Sequence, residues 1–282
     1  MVRTGAPRHI PAPLRSTLKE AARIMDVLES ALGRLDDSTP PFSLRIMVGP
    51  YKGIRHYKEV GEASMKVFVD LASLKPNEDV LDIGCGCGQM AVPLTKYLEP
   101  HSIYEGFDIN EGLIEWDTKR ISSKYPNFHF QLADVFSEPY NPKGKYEASN
   151  YRFPYEDESF DFVFLKSVFT HMLSKAIQNY LSEVARVLRK NGRCLITYFL
   201  INEESLGLIN EGLSDIDPKY GHKDYRTIDE KTPENAVAYD ESYVRRSYET
   251  RELSIIEPIH YGSWCGRRAS IGGQDIIVAR KK

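Results

Sequence analysis

Several features that would assign a partner or a compartment at once are missing from this sequence. No apolar run in its 282 residues approaches the length of a membrane span, which takes roughly 18. An excess of basic residues is absent too. Lys and Arg number 37 against 40 Asp and Glu, a formal charge of −3, which argues against nucleic acid because its binders usually carry a basic domain. Cysteine is scarce, with Cys85 and Cys87 inside a glycine turn, Cys194 inside a predicted strand, and Cys265 beyond it. That is no disulfide framework. No second Cys/His pair joins Cys85 and Cys87, so no metal is expected, and a reduced, cytoplasmic setting fits. The opening residues are basic and proline-rich and lack the apolar centre of a secretory signal. They read as a tail leading into a helix. Repeats and low-complexity segments are also lacking.

What is present is ordered alternation. Leu18, Met25, Leu28, Leu32 and Leu35 recur at helical steps and form one apolar stripe, ended by Pro40-Pro41. The stripe is expected to cover the main domain; it permits a homodimer without requiring one. A second helix is predicted over residues 56–74. Strands are then expected at 79–83, 102–107, 128–132, 160–165 and 193–201, with helices at 89–98, 111–124 and 175–190 between them. Asn110 is a candidate N-cap and Asn191-Gly192 a helix stop. Such alternation implies a parallel, doubly wound α/β sheet. A polar stretch over 202–239 interrupts it. A helix at 240–253 and two closing strands, 254–261 and 275–280, suggest an antiparallel final strand.

The most telling run is Val80-Leu81-Asp82-Ile83-Gly84-Cys85-Gly86-Cys87-Gly88-Gln89. An apolar strand ends in an acid, alternating glycines turn the chain, and a helical pattern follows. Glycine accepts the positive φ that such a turn needs and lets a ligand approach the backbone. Acids recur at the next two strand ends, Asp108 and Asp134, and Lys166-Ser167 closes the fourth. In open α/β sheets ligands bind at these carboxyl ends. Three acids suit a ligand with hydroxyls, amines or positive charge, not a phosphate. The spacing of the glycines is not the G-x-G-x-x-G of a dinucleotide turn, and Gln89 stands where a phosphate-loop lysine would be.

In these motifs the sequence resembles the class I S-adenosylmethionine-dependent methyltransferases. Asp82-Ile83-Gly84-Cys85-Gly86-Cys87-Gly88 is similar to their first motif, Phe107-Asp108-Ile109 to the second, and Leu132-Ala133-Asp134-Val135 to the third. Phe153-Pro154 with Ser159–Val163 resembles the approach to the fourth strand, and Glu183–Gly192 the helix and turn before the fifth. The resemblance covers about residues 55–202 well and the closing strands adequately. It implies a Rossmann-like, mostly parallel seven-stranded sheet with an antiparallel C-terminal strand. It also implies S-adenosylmethionine as cofactor, held by Asp82, Gly84, Cys85, Gly86, Gly88, Gln89, Asp108, Ile109, Ala133, Asp134, Val135, Lys166 and Ser167. Asp108 would take the ribose hydroxyls through its two oxygens, and Asp134 the adenine amine. For Asp82, direct contact and ordering of the turn both stand as readings.

The methyl acceptor is less legible. His171, in Val168-Phe169-Thr170-His171-Met172, is the candidate general base, since imidazole titrates near neutrality; capping of the next helix is the alternative. Tyr198 and Glu203 are expected to face the same rim, with Tyr51, His56, Tyr57, Phe169 and Trp264 as further substrate-side candidates. The tyrosine-rich segment 140–155 reads either as an entrance lining or as a plain surface loop. By domain, 1–54 is a tail and helical extension, 55–282 the core, and 202–239 a substrate cover. The expected reaction is methyl transfer to a hydroxyl, or less favoured an amine, of a small molecule such as a sugar or secondary metabolite. RNA or protein substrates and a non-catalytic scaffold are the alternatives.

Overall fold

The computed structural model describes residues 12–49, 53–138 and 140–282, and of residues 12–19 the backbone only. Tyr51 lies outside the described residues. The first elements are α1 (Ala12–Ala31), α2 (Phe42–Arg45) and α3 (Ile54–Ala72). Then follow β1 (Val80–Ile83), α4 (Ala91–Leu94), β2 (Tyr104–Asp108), α5 (Glu111–Asp117) and β3 (Phe128–Leu132). Next come β4 (Phe160–Leu165), α6 (Ser174–Val187), β5 (Leu188–Tyr198), β6 (Leu200–Ile201) and α7 (Glu203–Asn210). The chain closes with β7 (Tyr220–Gly221), β8 (Tyr225–Thr227), β9 (Val237–Asp240), α8 (Glu241–Glu249), β10 (Leu253–Ile255) and β11 (Asp275–Lys281).

Seven strands form one sheet in the order β10-β11-β5-β4-β1-β2-β3. Of the pairs with a described register, β1–β4, β4–β5 and β2–β3 are parallel, and β11 runs antiparallel to both β5 and β10. The Rossmann-like expectation holds, including the antiparallel C-terminal strand. A second sheet, β6-β9-β8-β7, was not foreseen. It occupies the stretch that looked irregular in sequence, because its strands are two to four residues long and too short to show alternation.

By contacts the chain divides into two compact units, with the division falling between Gly84 and Cys85. The first holds residues 79–84 and 134–282. Its central strands are buried along their length: Val80, Leu81, Phe162 to Leu165 and Cys194 to Ile196 are all solvent-excluded. That is the continuous apolar pattern of strands covered on both faces. Helix α6 stops at Val187 rather than at the Asn191-Gly192 signal. Leu188 already pairs with Phe160, and the register breaks before Arg193 meets Phe162. Asn191, at φ 65°, lies inside that irregularity.

Polar side chains of α6 organise the long β3–β4 connection. Asn179 donates to the carbonyls of Ala148 and Tyr151 at 3.0 and 2.8 Å. Glu183 accepts from the Phe153 amide at 2.8 Å. Arg186 donates to the carbonyls of Phe153 and Tyr155. One helix face thus satisfies backbone groups that a loop over a core would otherwise leave unpaired.

The second unit holds residues 85–133 and the helices before β1. Tyr104 of β2 stacks on Phe128 of β3, centroids 4.7 Å apart. Asn110 caps α5 as expected, accepting from the Leu113 amide at 3.3 Å. A single π turn (Thr118–Ser122) prolongs that helix. Arg45, fully buried, pairs with Glu29 of α1 at 2.6 Å. The stripe on α1 departs from expectation. Met25, Leu28 and Leu32 are 39, 48 and 63% exposed, and among the described side chains of α1, which exclude Leu18, the buried ones are Ala22 and Glu29. The helix is held on that side by the Glu29–Arg45 ion pair, which turns the apolar stripe outward.

Asp275, wholly buried at the start of β11, anchors the closing segment. It accepts from the amides of Leu200 and Gly262 and from Trp264 Nε1, each at 2.7 Å, and from Arg267 at 3.2 Å. Burial lifts its pKa to about 6 against these donors. Asp275→Ala leaves the donors unpaired in the core and should cost about 3 kcal/mol or more of stability, read by urea denaturation. A loss below about 1 kcal/mol, the net worth of one ordinary hydrogen bond, contradicts the anchoring role.

Candidate active site

The glycine turn has the backbone its sequence asks for. Gly84, Gly86 and Gly88 sit at φ 79°, 61° and 70°, where a side chain would be strained. Space is short as well. A Cβ on Gly86 would come within 2.7 Å of Val48 Cγ1, and one on Gly88 would strike Ile121 Cδ1. In the second unit, the Cys85 amide bonds to the Phe107 carbonyl at 3.1 Å. The Gly86 amide donates to Asp108 Oδ2 at 3.0 Å, and Asn110 N–H to Oδ1 at 3.0 Å. Backbone donors from Gly86, Ile109 and Asn110 thus converge on the Asp108 carboxylate, and both of its oxygens accept. Burial raises the pKa of this carboxyl, and the backbone donors oppose the shift. Ile109 beside it is half-buried.

Tyr57 and Gln89 lock the far side of the turn. Tyr57 is buried and donates its hydroxyl to the Cys87 carbonyl at 2.8 Å, while Gln89 Nε2 donates to the Tyr57 carbonyl at 2.9 Å. Cys85 and Cys87 are both buried, and burial pushes the Cys87 thiol up to about 12, which leaves it a neutral packing group. At the end of β3, the Ala133 amide bonds to the Asp108 carbonyl at 2.9 Å.

In the first unit, Asp82 is 2% exposed and lies opposite Phe164 in the β1–β4 register. A Cβ on Gly84 would come within 2.5 Å of Val168 Cγ2, so the exit of β1 packs against the turn after β4. Within that turn Ser167 holds φ 60°, with its amide on Thr197 Oγ1 at 2.8 Å and its hydroxyl on Gln274 at 3.1 Å. That conformation costs a non-glycine residue roughly 1–2 kcal/mol, and the two bonds hold it here. Lys166 is half-buried, and burial pulls its pKa down to about 8, with the nearby Asp82 charge opposing. Asp134 accepts from the Lys145 amide and pairs with its ammonium at 3.2 Å. Val135 forms a bridge with Tyr146.

His171 lies on a single 3-10 turn (Phe169–His171). Its Nδ1 is 2.9 Å from the Glu234 carbonyl. A carbonyl only accepts, so in the neutral ring Nδ1 carries the hydrogen and Nε2 the lone pair. Tyr140 packs edge-on against the imidazole at 5.6 Å, and burial lowers the His171 pKa. Neither Glu234 nor Tyr140 was singled out from sequence. Glu234 contributes a backbone carbonyl, which no residue type signals, from 63 positions away.

The remaining substrate-side candidates scatter. Tyr198 is fully buried, with its hydroxyl 3.0 Å from that of Tyr248 and Phe169 packed on its ring. Both rings belong to the core and not to a rim. Trp264 is buried likewise and spent on Asp275. Glu203 and His56 are exposed. Among the described residues no cluster of three His, Cys, Asp or Glu has the arrangement of a metal site.

Comparison with known proteins bears on residues 74–232, which match the family model described as a methyltransferase domain. The chain is 27% identical over 128 residues to the demethylmenaquinone methyltransferase of Symbiobacterium thermophilum, a match covering 45% of this chain and 44% of that protein. It spans less than half the length of the curated relatives it matches. A protein of Pyrococcus horikoshii, PH0226, aligns with a TM-score of 0.55 at 17% identity, over 81% of this chain and 92% of its own. An S-adenosylmethionine-dependent methyltransferase from Aquifex aeolicus aligns with 0.52 at 18% identity, over 88 and 100%. These two likenesses are of fold.

Gly88→Ala should cost roughly 1–2 kcal/mol for the left-handed backbone alone, and more for the contact with Ile121. Unchanged stability in urea denaturation would show that the turn tolerates a side chain.

Proposed function

The chain belongs to the S-adenosylmethionine-dependent methyltransferases through the domain it carries, and we propose that it methylates a hydroxyl or amine of a small-molecule acceptor. When bound, S-adenosylmethionine supplies a methyl group already activated on a sulfonium. The residues present fit this cofactor. The two acceptor oxygens of Asp108, oriented by the amides of Gly86 and Asn110, suit a ribose diol. Ile109 and the 47% exposed Leu132 offer apolar surface for adenine, and Asp134 an acceptor for its amine. The glycine turn gives close backbone access for the amino-acid end, and Ala133 and Val135 are each buried.

The acceptor reading rests on His171. Its Nδ1 faces the Glu234 carbonyl, burial lowers its pKa against the backbone groups of Glu234 and Asn235, and a neutral ring in this tautomer offers Nε2 as the basic atom. Such a base removes a proton from an acceptor hydroxyl as the methyl is transferred, which favours oxygen over nitrogen. Orientation and exclusion of water account for most of the remaining rate. The segment 134–158, gripped by α6, presents Tyr140 to His171. The tyrosines of that segment, with 202–239 as the proposed cover, suit a sugar or secondary metabolite. The four buried cysteines, none of them in a disulfide, accord with a cytoplasmic setting. No described helix is long and apolar enough to cross a membrane.

Two measurements test this. Asp108→Ala should weaken S-adenosylhomocysteine binding by about 1.5–3 kcal/mol, the worth of a hydrogen bond to a charged group, by calorimetry; unchanged affinity removes the ribose assignment. His171→Ala should slow turnover roughly 10²–10⁴-fold with cofactor affinity intact. In the unsubstituted protein the rate should rise with pH through a pKa below the ordinary histidine value, and the variant should lose that acid limb. A retained limb would make His171 structural.

A further inference from the structure

Helix α1 is fastened on its inner side and bare on its outer side. Glu29, 6% exposed, and Arg45, wholly buried, form the ion pair that sets which side faces inward. Asp26 accepts from the Ser43 amide at 3.0 Å. Beyond the helix, Asp36 pairs with Lys58 at 2.6 Å and Asp37 with Lys124 at 2.7 Å. Within the buried pair, Glu29 Oε2 and Arg45 Nε have no hydrogen-bond partner among the described residues. Two desolvated ions with unmet hydrogen-bonding capacity add little net stability, and an apolar pair of similar size would pack as well. What the pair does enforce is one orientation of the helix, with Ile24, Met25, Val27, Leu28 and Leu32 in solvent.

The outer face carries a pattern of its own. Ala21, Ile24, Leu28 and Ala31 follow at alternating steps of three and four, all exposed, which is the a/d seam of a two-helix pairing. Glu20, Val27 and Arg34 repeat at steps of seven along one flank of that seam. Val27, at 68%, is the most exposed large apolar side chain among the described residues. Arg34, just past the helix, is tied back by its amide to the Glu29 carbonyl at 3.0 Å. Glu20 and Arg34 are both exposed, and neither is in an ion pair among the described residues. Opposite charges thus stand at equal steps on either side of Val27. We propose that this face of α1 binds the same face of a second copy of the chain, antiparallel, about a two-fold axis at Val27.

A two-fold contact must be self-complementary, and one register meets that demand throughout. Ile24 lies against the partner's Leu28, Ala21 against the partner's Ala31, and Val27 against the partner's Val27. The small alanines at both ends let the helices approach closely. The same register sets Glu20 opposite the partner's Arg34, twice over by symmetry. Charges on the flanks of a seam choose its direction and register. A parallel pairing would set Glu20 against Met25. Sliding the antiparallel pair by one heptad would set Val27 against a charge. Either change leaves Glu20 and Arg34 apart. Together the two faces bury on the order of 1,000 Å², the lower limit of a specific interface. A weak association follows, with a dissociation constant of about 1–100 μM. The pairing makes no use of the cofactor site and does not depend on it.

Sedimentation equilibrium of the full chain at about 1–200 μM, a span that brackets such affinities, should show monomer and dimer in exchange. Leu28→Glu puts a charge into the seam and should give a monomer throughout. Its thermal melt at low concentration should be unchanged, because Leu28 is already 48% exposed. Glu20→Arg and Arg34→Glu, each alone, should weaken the dimer roughly tenfold, and the two together should restore it. The native cysteines are buried, so an added one reports on the contact. Val27→Cys should be joined chain to chain by a short bismaleimide, and Ser30→Cys, away from the seam, should not. A monomer at every concentration overturns the proposal and leaves the face to another occupant. So does a dimer that survives Leu28→Glu, a double charge exchange that fails to restore association, or equal cross-linking at the two cysteines.

Discussion

The structure turns on a backbone that must reverse direction through alternating positive φ angles within a few residues, immediately after a buried strand. Only glycine adopts those angles without strain, and only the absence of Cβ atoms leaves room for Val48, Ile121 and Val168 to pack where they do. The Asp108 carboxylate then fixes the turn by accepting from Gly86, and Tyr57 closes it from the other side through the Cys87 carbonyl. These bonds are made within the protein itself. The turn is thus braced by the protein's own groups, and such bracing lowers the ordering cost of binding.

A similar economy governs the β3–β4 connection. Its length and its content of Pro, Tyr and Asn suggest a loose surface loop. Asn179, Glu183 and Arg186, one helical turn apart along α6, instead satisfy its carbonyls and an amide. Tyr140 then meets His171, whose own orientation comes from the Glu234 carbonyl. A helix face, a loop and a short turn from a later segment together decide how one imidazole points.

Most of the sheet was legible because its strands are apolar runs punctuated by Asp and Gly, and such runs have few alternatives to burial. Local chemistry also read correctly where a signal is self-contained, as at the Asn110 cap. The failures share a cause. The α1 stripe has perfect helical spacing, yet periodicity says only that a face is apolar, not that anything covers it. Glu29 and Arg45 decided which side faces inward. Tyr198 looked rim-facing by position and Trp264 stood as a substrate-side candidate against a core role, but their polar tips found buried partners in Tyr248 and Asp275, which let both rings sink into the core. The small second sheet is made of pieces too short to carry a pattern.

By itself, the sequence determined the fold class, the strand ends and the chemistry of the glycine turn, because each depends on residue types adjacent in the chain. Tertiary structure alone decided which tautomer His171 holds, where Tyr140 rests, and that the closing strand is pinned by Asp275. Those depend on backbone carbonyls and amides brought together from distant segments. A carbonyl is the same in every residue, so nothing in the order of side chains announces which one an imidazole will find.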